Sequence, residues 1–243
     1  MAACPDCPLK FLCKQGDNLA KEPVSFREMR YQDTRRKILK NAARIFARKG
    51  YEKSSLEEIA ARLKLSKGSL YHYIKSKDEL LYLIQLQAIE EAITNINTIL
   101  ATESDPVRTL YQVIKGHVRT VTQNHVIGAL RQQELILPRK WRSLIIEARD
   151  RLEALLQDIV VEGIDSGDFE ARDSKMACIS TLGVLNGVIR WYSPQGRMSV
   201  DEIGECVADF ILKGFGVSPT AIAALASRET QPETEPGMGH NEE

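Results

Sequence analysis

The segment 54–77 constrains the fold most, because its pattern favours two short helices joined by a tight turn. Ser55 stands three residues before Glu58, which is the spacing of a capping box that opens a helix. Apolar residues then recur at helical spacing, and Ser66 can cap a second helix whose inner side carries Leu70. The pattern predicts a helix-turn-helix.

Positive charge is concentrated around this motif. Residues 27–77 hold 15 Lys and Arg against 5 Asp and Glu, a net charge of +10, whereas the whole 243-residue chain carries 33 of each class. The remainder of the chain therefore has a net charge of −10. Capped helix pairs also occur in ordinary helical proteins, but this charge asymmetry is typical of phosphate binding. We therefore expect residues 27–77 to form a DNA-binding domain.

The apolar periodicity in the rest of the chain is also helical, so the predicted fold class is all-α. The expected architecture is an N-terminal three-helix headpiece with the helix-turn-helix, followed at 78–216 by a second helical domain. A flexible Cys-rich leader is predicted at 1–26, and residues 217–243 are predicted to form a partly helical stub followed by a disordered acidic tail. With the motif, about nine helices are expected, the others being 27–49, 76–100, 106–123, 125–137, 138–164, 173–192 and one that begins at Ser199.

The leader contains a possible metal site formed by Cys4, Cys7 and Cys13. Thiolates at Cys-x2-Cys spacing can share a Zn ion or an iron–sulfur cluster, because the turn places both sulfurs on one side of the metal. A fourth ligand would be needed, and Cys178 or Cys206 could supply it only if the fold brings it close. The alternative is a flexible leader with exposed thiols or a redox-reactive pair.

Several other classes of protein are disfavoured. No apolar run reaches the roughly 18 residues that a membrane span needs, and no signal-peptide pattern opens the chain. Five cysteines without a secretory signal fit a reducing compartment, so we expect a cytoplasmic protein. The four histidines are scattered, and no phosphate loop, nucleophile elbow or His-Glu metal helix is present, which argues against an enzyme.

The last two predicted helices carry an unusually apolar surface. Small residues such as Gly183 and Gly187 allow another helix to approach closely. This pattern favours pairing with a second copy into a four-helix bundle, although both helices could instead close the core of a monomer. DNA geometry favours the dimer, because one headpiece covers half an operator and two-fold symmetry places two recognition helices about 35 Å apart.

The motif and its surroundings resemble a known family. A helix ending in Phe46-Ala-Arg-Lys-Gly-Tyr51 precedes Ser55-Leu-Glu-Glu-Ile-Ala60 and Leu65-Ser-Lys-Gly-Ser-Leu-Tyr-His-Tyr-Ile-Lys-Ser-Lys-Asp-Glu-Leu80. This run is similar to the tetracycline-repressor (TetR) family of bacterial transcriptional regulators, which usually has Phe where this chain has Ile74. The resemblance covers residues 30–80. It implies a homodimeric repressor that binds a palindromic double-stranded DNA operator and responds to a small molecule. It also implies that 78–216 is the ligand-binding and dimerisation domain.

The resemblance also implies which side chains contact the duplex. Those expected to reach bases or the groove wall are Lys67, Gly68, Ser69 and Tyr71. Those expected to bond phosphates are Ser54 or Ser55, His72, Tyr73 and Lys77. The charge at the start of the first helix adds Arg35, Arg36 and Lys37 as phosphate contacts. Either Tyr71 or Tyr73 could instead be a packed aromatic residue of the headpiece.

A second resemblance concerns the effector. The segment Asn186-Gly-Val-Ile-Arg-Trp-Tyr-Ser-Pro-Gln-Gly196 is similar to the penultimate-helix region of TetR members that respond to acyl-CoA thioesters in fatty-acid, steroid and aromatic-acid catabolism, except that Gly187 replaces a Trp. A CoA ligand needs cations for its phosphates and an apolar slot for its acyl chain. The residues expected to bind it are Arg131, Gln132, Arg139, Trp141, Asn186, Arg190 and Trp191.

Two alternatives to this effector site remain open at the level of sequence. Trp191 and Tyr192 could belong to a dimer interface, with Arg190 paired to a carboxylate. The regulator could also sense a metal or redox state through the cysteines of the leader.

Overall fold

A computed structural model of the protein describes residues 25–123 and 136–229, and every regular element in these two stretches is helical. The all-α prediction is confirmed. The helix predicted over 125–137 falls almost wholly outside the described residues. The helices are α1 Phe26–Lys49, α2 Leu56–Arg62, α3 Lys67–Tyr73, α4 Lys77–Leu100, α5 Pro106–Gln123, α6 Arg139–Asp165, α7 Ser174–Trp191, α8 Val200–Gly214 and α9 Pro219–Glu229.

Capping residues explain where these helices begin. The Ser199 hydroxyl accepts the Glu202 N–H at 3.2 Å, while the Glu202 carboxylate accepts the Ser199 N–H at 2.7 Å, so α8 starts with a complete capping box. At the start of α4, Ser76 and Glu79 stand at capping-box spacing but form a shifted version of it. Ser76 accepts the Glu79 N–H at 3.0 Å, but the Glu79 carboxylate accepts the N–H of Lys75.

The described residues form two compact units, each with its own apolar core. Of the described residues, the first unit comprises 25–91 and 136–149, and the second comprises 92–123 and 150–229. Helix α4 therefore contributes its first part to one unit and its last part to the other. No helix within 25–123 or 136–229 has the length and apolar character needed to cross a bilayer.

The core of the first unit sets the orientation of α3. Ile38 and Ile45 of α1 are fully buried, and so are Leu70 of α3 and Ile74, which directly follows α3. The inward position of Leu70 expected from the sequence is thereby confirmed. Because α3 is held by this one side, its other side chains, apart from the half-buried Tyr73, are exposed.

In the second unit, α5 packs against α8. A methyl group at Gly204 of α8 would lie 3.3 Å from the Cγ atom of Lys115, so a glycine permits the close approach of the two helices. Two ion pairs join them, Lys115 with Glu205 at 3.4 Å and Arg119 with Asp201 at 2.8 Å. These contacts hold one side of α8 against α5 and leave the other side uncovered.

Candidate nucleic-acid interface and dimer face

The turn between α2 and α3 contains a left-handed residue. Lys64 has φ of +56°, and the chain reverses there through two hydrogen bonds, from the Leu65 N–H to the Ala60 carbonyl at 2.9 Å and from the Lys64 N–H to the Ala61 carbonyl at 3.1 Å. This is a Schellman motif, which normally has glycine at the left-handed position. Ser66 follows immediately and starts α3.

The outer surface of α3 consists of polar and aromatic side chains. The Ser66 hydroxyl accepts the Ser69 N–H at 3.1 Å, and the two hydroxyl oxygens are 2.8 Å apart. A methyl group built on Gly68 meets nothing within 4 Å, so a duplex could approach the backbone closely at this point. The residues of α3 that are exposed are Lys67, Gly68, Ser69, Tyr71 and His72.

Lys67 is held by a carboxylate in the free protein. Its Nζ atom lies 2.7 Å from Oε1 of Glu57 on α2 and 5.9 Å from the centre of the Tyr71 ring. The hydrogen bond from Lys67 lowers the pKa of Glu57, and the same bond raises the pKa of Lys67, so both groups stay ionised. Lys67 must therefore break its ion pair with Glu57 before its ammonium group can bond a base edge.

Packing separates the two alternatives for the aromatic residues of α3. Tyr73 is half-buried and stacks on Tyr31 of α1, with ring centres 4.9 Å apart and an interplanar angle of 28°. His72 meets the edge of the Tyr31 ring at 5.9 Å. Tyr71 is 42% exposed. Tyr73 is thus the packed aromatic residue of the headpiece, and Tyr71 is the one open to a ligand.

The expected phosphate contacts differ in their exposure. Ser54 is buried and its hydroxyl donates to a backbone carbonyl at 2.6 Å, whereas Ser55, the N-cap of α2, is exposed. Arg35 is only 7% exposed, because it lies on the side of α1 that faces the core, and this position makes it unsuitable for a phosphate contact in this conformation. Its neighbours Arg36 and Lys37 are exposed and can take that role.

Lys77 begins α4 and lies above an aromatic ring. Its Nζ atom is 4.2 Å from the centre of the Tyr51 ring and donates to the Glu52 carbonyl at 3.3 Å. The Tyr51 hydroxyl donates to the Asp78 carboxylate. Burial, reinforced by this hydrogen bond, raises the pKa of Tyr51 far above its usual value, so the phenol stays neutral. These contacts fix the start of α4, where Lys77 is expected to bond a phosphate.

A second exposed surface lies on α7. Its buried residues are Cys178, Thr181, Leu185 and Val188, and within 25–123 and 136–229 no residue covers the opposite side of the helix. Met176 and Ile179 are exposed on that opposite side. A methyl group built on Gly183 or Gly187 would meet nothing within 4 Å, so no contact within the described chain requires glycine there.

The uncovered side of α8 is similar. Phe210 is 67% exposed, and the exposed Cys206 lies one turn before it on the same side of the helix. We call these two uncovered sides of α7 and α8 together the α7/α8 face. An exposed phenylalanine on one helix and two glycines with open space on the other are typical of surfaces that another helix covers.

The residues expected to bind an acyl-CoA are divided between the two units, and Arg131 and Gln132 lie outside the described residues. In the first unit Arg139 is exposed at the start of α6. Trp141 is half-buried and stacks on the buried Tyr82, with ring centres 4.4 Å apart and an interplanar angle of 27°. This unit therefore places a cation and an indole close together in sequence on one helix.

In the second unit Asn186, Arg190 and Trp191 belong to α7. Arg190 and Trp191 are exposed, and Trp191 retains 60% of its surface. Arg190 follows Gly183 by seven residues, so it lies on the α7/α8 face. This placement favours the alternative in which this end of α7 contributes to a dimer interface.

The proposed metal ligands Cys4, Cys7 and Cys13 also lie outside the described residues, and the metal or redox hypothesis stays a prediction. Within the described residues, no group of three or more His, Cys, Asp or Glu is placed to hold a metal ion. Cys178 is buried, its thiol donates to the Glu153 carbonyl at 3.6 Å, and burial raises its pKa to about 11. A thiol that resists ionisation is a poor fourth ligand.

Comparison with known proteins identifies the family. Residues 38–82 match the bacterial regulatory proteins of the tetR family, and residues 103–215 match the tetracyclin repressor-like C-terminal domain. The structure of PfmR, a TetR family transcriptional regulator from Thermus thermophilus, aligns with 72% of this chain and 97% of its own at 34% identity and a TM-score of 0.68. The chain belongs to the TetR family. It is a DNA-binding transcriptional regulator, and its helix-turn-helix consists of α2 and α3.

Two further relatives extend this comparison. The transcriptional repressor KstR2 of Rhodococcus jostii is 23% identical over 184 residues, which cover 74% of this chain and 90% of KstR2. AibR, solved in complex with isovaleryl coenzyme A and operator DNA, aligns with 72% of this chain and 96% of its own at 24% identity and a TM-score of 0.65. The likeness to AibR concerns the fold. Membership of this family agrees with the prediction of a regulator rather than an enzyme.

Proposed function

We propose that this TetR family member is a homodimeric repressor that binds a palindromic operator in the cytoplasm and leaves it when an acyl-CoA thioester binds. The observation that carries the proposal is the exposed polar surface of α3, which is held from one side by the headpiece core. In a helix-turn-helix the second helix, which here is α3, enters the major groove.

The operator contacts divide into two groups. Lys67, Ser69 and Tyr71 are exposed on α3 and are our candidates for base contacts, with Gly68 allowing close approach of the backbone. The candidates for phosphate contacts are Ser55, His72, Tyr73, Lys77, Arg36 and Lys37. Among the latter, the half-buried Tyr73 can offer only its hydroxyl, because its ring is stacked on another tyrosine.

The α7/α8 face supports the homodimer. Gly183 and Gly187 leave open space along α7, and Phe210 projects from α8 with two-thirds of its surface exposed. In a two-fold symmetric dimer the same surface is used by both copies, so a phenylalanine on one chain can fill space that glycines leave on the other. The KstR2 relative is named a repressor, which supports repression as the direction of control.

The effector class rests on the chain's own motif, on the fold shared with AibR, and on the side chains at the start of α6. The segment from Asn186 to Gly196 resembles acyl-CoA-responsive regulators, and AibR, which has the same fold, was solved with isovaleryl coenzyme A. Arg139 and Lys140 are exposed beside Trp141, and cations next to an aromatic ring suit the phosphates and adenine of CoA. Helix α4 runs from the headpiece unit into the other unit, so it is our candidate for coupling ligand to DNA.

The test begins with selection of a binding site from a random duplex pool, followed by titration of the complex with acyl-CoAs of several chain lengths. Free CoA and the matching free acids are the controls. We expect only thioesters to release the DNA. If no thioester releases it, the effector class is wrong, whereas failure to select any palindrome contradicts the DNA-binding proposal itself.

One variant separates the two roles considered for Arg190. If this guanidinium binds the effector, Arg190→Gln raises the thioester concentration needed for release and leaves the dimer dissociation constant unchanged. If it belongs to the dimer interface, the dissociation constant changes and the sensitivity of an intact dimer to the thioester does not.

A further inference from the structure

The first helix begins well before the part of the chain that matches the family. Helix α1 starts at Phe26, whereas the tetR family match starts at residue 38. We call residues 26–37 the α1 extension. It holds five Lys and Arg against two acidic residues, so it is cationic. It also contains Tyr31, whose ring contacts His72 and Tyr73 of the recognition helix.

One side of α1 changes character along its length. Ile38, Tyr31 and Arg27 are separated by seven and four residues, so they share one side of the helix. Ile38 is fully buried in the headpiece core, Tyr31 is half-buried against α3, and Arg27 is exposed one turn further out. The side of α1 that is apolar in the core is therefore cationic where the helix passes the end of the recognition helix.

The acidic side chains of the α1 extension have other partners. The Glu28 carboxylate accepts a hydrogen bond from Gln32 at 2.7 Å, and Asp33 lies 3.7 Å from the guanidinium of Arg36. Arg27 is exposed one helical turn before Tyr31, whose ring contacts the two α3 residues expected at the DNA backbone. A guanidinium can bond two oxygens of one phosphate, which makes arginine well suited to such a position.

We propose that Arg27 is a further DNA contact, which binds a backbone phosphate of the operator next to those bound by His72 and Tyr73. Tyr31 is a positioning residue, because its stack on Tyr73 fixes where the α1 extension passes the recognition helix. This inference rests on the proposed function, since it assigns an additional phosphate to the same interface. It widens the footprint of each headpiece on the duplex beyond the helix-turn-helix.

The experiment is the salt dependence of operator affinity for the full chain and its variants. Each phosphate contact adds about 0.9 to the magnitude of the slope of log affinity against log salt concentration. Arg27→Gln removes one contact per protomer, so we expect the slope of the dimer to fall by about 1.8. The ratio of wild-type to variant affinity should then shrink about tenfold between roughly 50 and 200 mM salt.

Lys40→Gln is the matched control. Lys40 is exposed on the same helix and loses the same charge, but it lies about 220° around the helix from Arg27. We expect its slope to equal that of the wild type. A wild-type slope for Arg27→Gln, or an equal loss for both variants, would overturn the inference. Absence of operator binding by the wild type is a different result, because it contradicts the proposed function itself.

The role of Tyr31 is tested by two further variants, after circular dichroism has shown that each retains its helix content. Tyr31→Phe keeps the stacked ring, so we expect the wild-type slope. Tyr31→Ala removes the ring, and we expect the magnitude of its salt-dependence slope to fall, but by less than that of Arg27→Gln. A wild-type slope for Tyr31→Ala would overturn the positioning role.

Discussion

Replacing Gly183 by alanine should stabilise the isolated chain and weaken the dimer, and these opposite signs make the substitution informative. Within one chain the new methyl group meets nothing within 4 Å. Alanine is favoured over glycine inside a helix by about 1 kcal/mol, so the folded monomer gains stability. In the proposed dimer the same methyl group enters the space through which a second helix approaches.

The magnitude follows from packing. Forcing an additional carbon into a closely packed interface costs about 1–3 kcal/mol, and two-fold symmetry places one such group on each chain. Together they weaken the dimer by about 2–6 kcal/mol, so the dissociation constant rises about thirtyfold or more. Sedimentation velocity over a dilution series measures that constant. Urea unfolding at the lowest protein concentration measures the gain in monomer stability.

Gly68→Ala is the matched control, because Gly68 is also a helical glycine with open space around it. We expect Gly68→Ala to leave the dimer dissociation constant unchanged and to weaken operator binding, since its methyl group projects toward the groove. Gly183→Ala dimers that are as tight as the wild type would show that the α7/α8 face is not the interface. The reasoning from open space to a partner helix would then be refuted.

Three other predictions concern local features. Glu57→Gln should raise operator affinity at low salt by a few fold, because Lys67 no longer has to leave a carboxylate 2.7 Å away; binding titrations that show a decrease would contradict this. Lys64→Gly should raise the free energy of unfolding by about 0.5–1 kcal/mol, since φ is positive there, and urea denaturation measures it. Burial raises the pKa of Cys178 to about 11, so at about pH 8 we expect iodoacetamide to leave Cys178 unmodified until the chain unfolds, and peptide mass spectrometry can show this.

Features that depend on neighbouring residues in the chain were predictable from the sequence. The start of α8 followed from Ser199 and Glu202, and the end of α1 followed from Gly50, whose φ is +83°. The inward side of α3 followed from Leu70, because helical periodicity and capping act over a few residues. Family membership followed for the same reason, since its motif is a continuous run.

Which of the candidate side chains are exposed, and so able to contact DNA, was not predictable in this way. Arg35 and Arg36 are adjacent and chemically identical, yet one is buried and the other exposed, because only one faces the core. The choice between Tyr71 and Tyr73 depended on Tyr31, which belongs to a different helix and is distant in the sequence. The sequence did indicate that Tyr31 faces inward, because it stands seven residues before the buried Ile38 and so continues the helical spacing of the buried residues of α1.

Sequence alone therefore predicted the main helices of the described residues, nearly where they start and stop, and that two of them form a DNA-binding motif. Tertiary structure alone decided that Lys67 is paired with Glu57, that Tyr31 touches the recognition helix, and that one side of α7 has no partner within the described chain. The physical reason is range. Hydrogen bonds and capping within a helix join residues up to about four positions apart, whereas these pairings depend on how separate helices cross, which only the packing of their shared core determines.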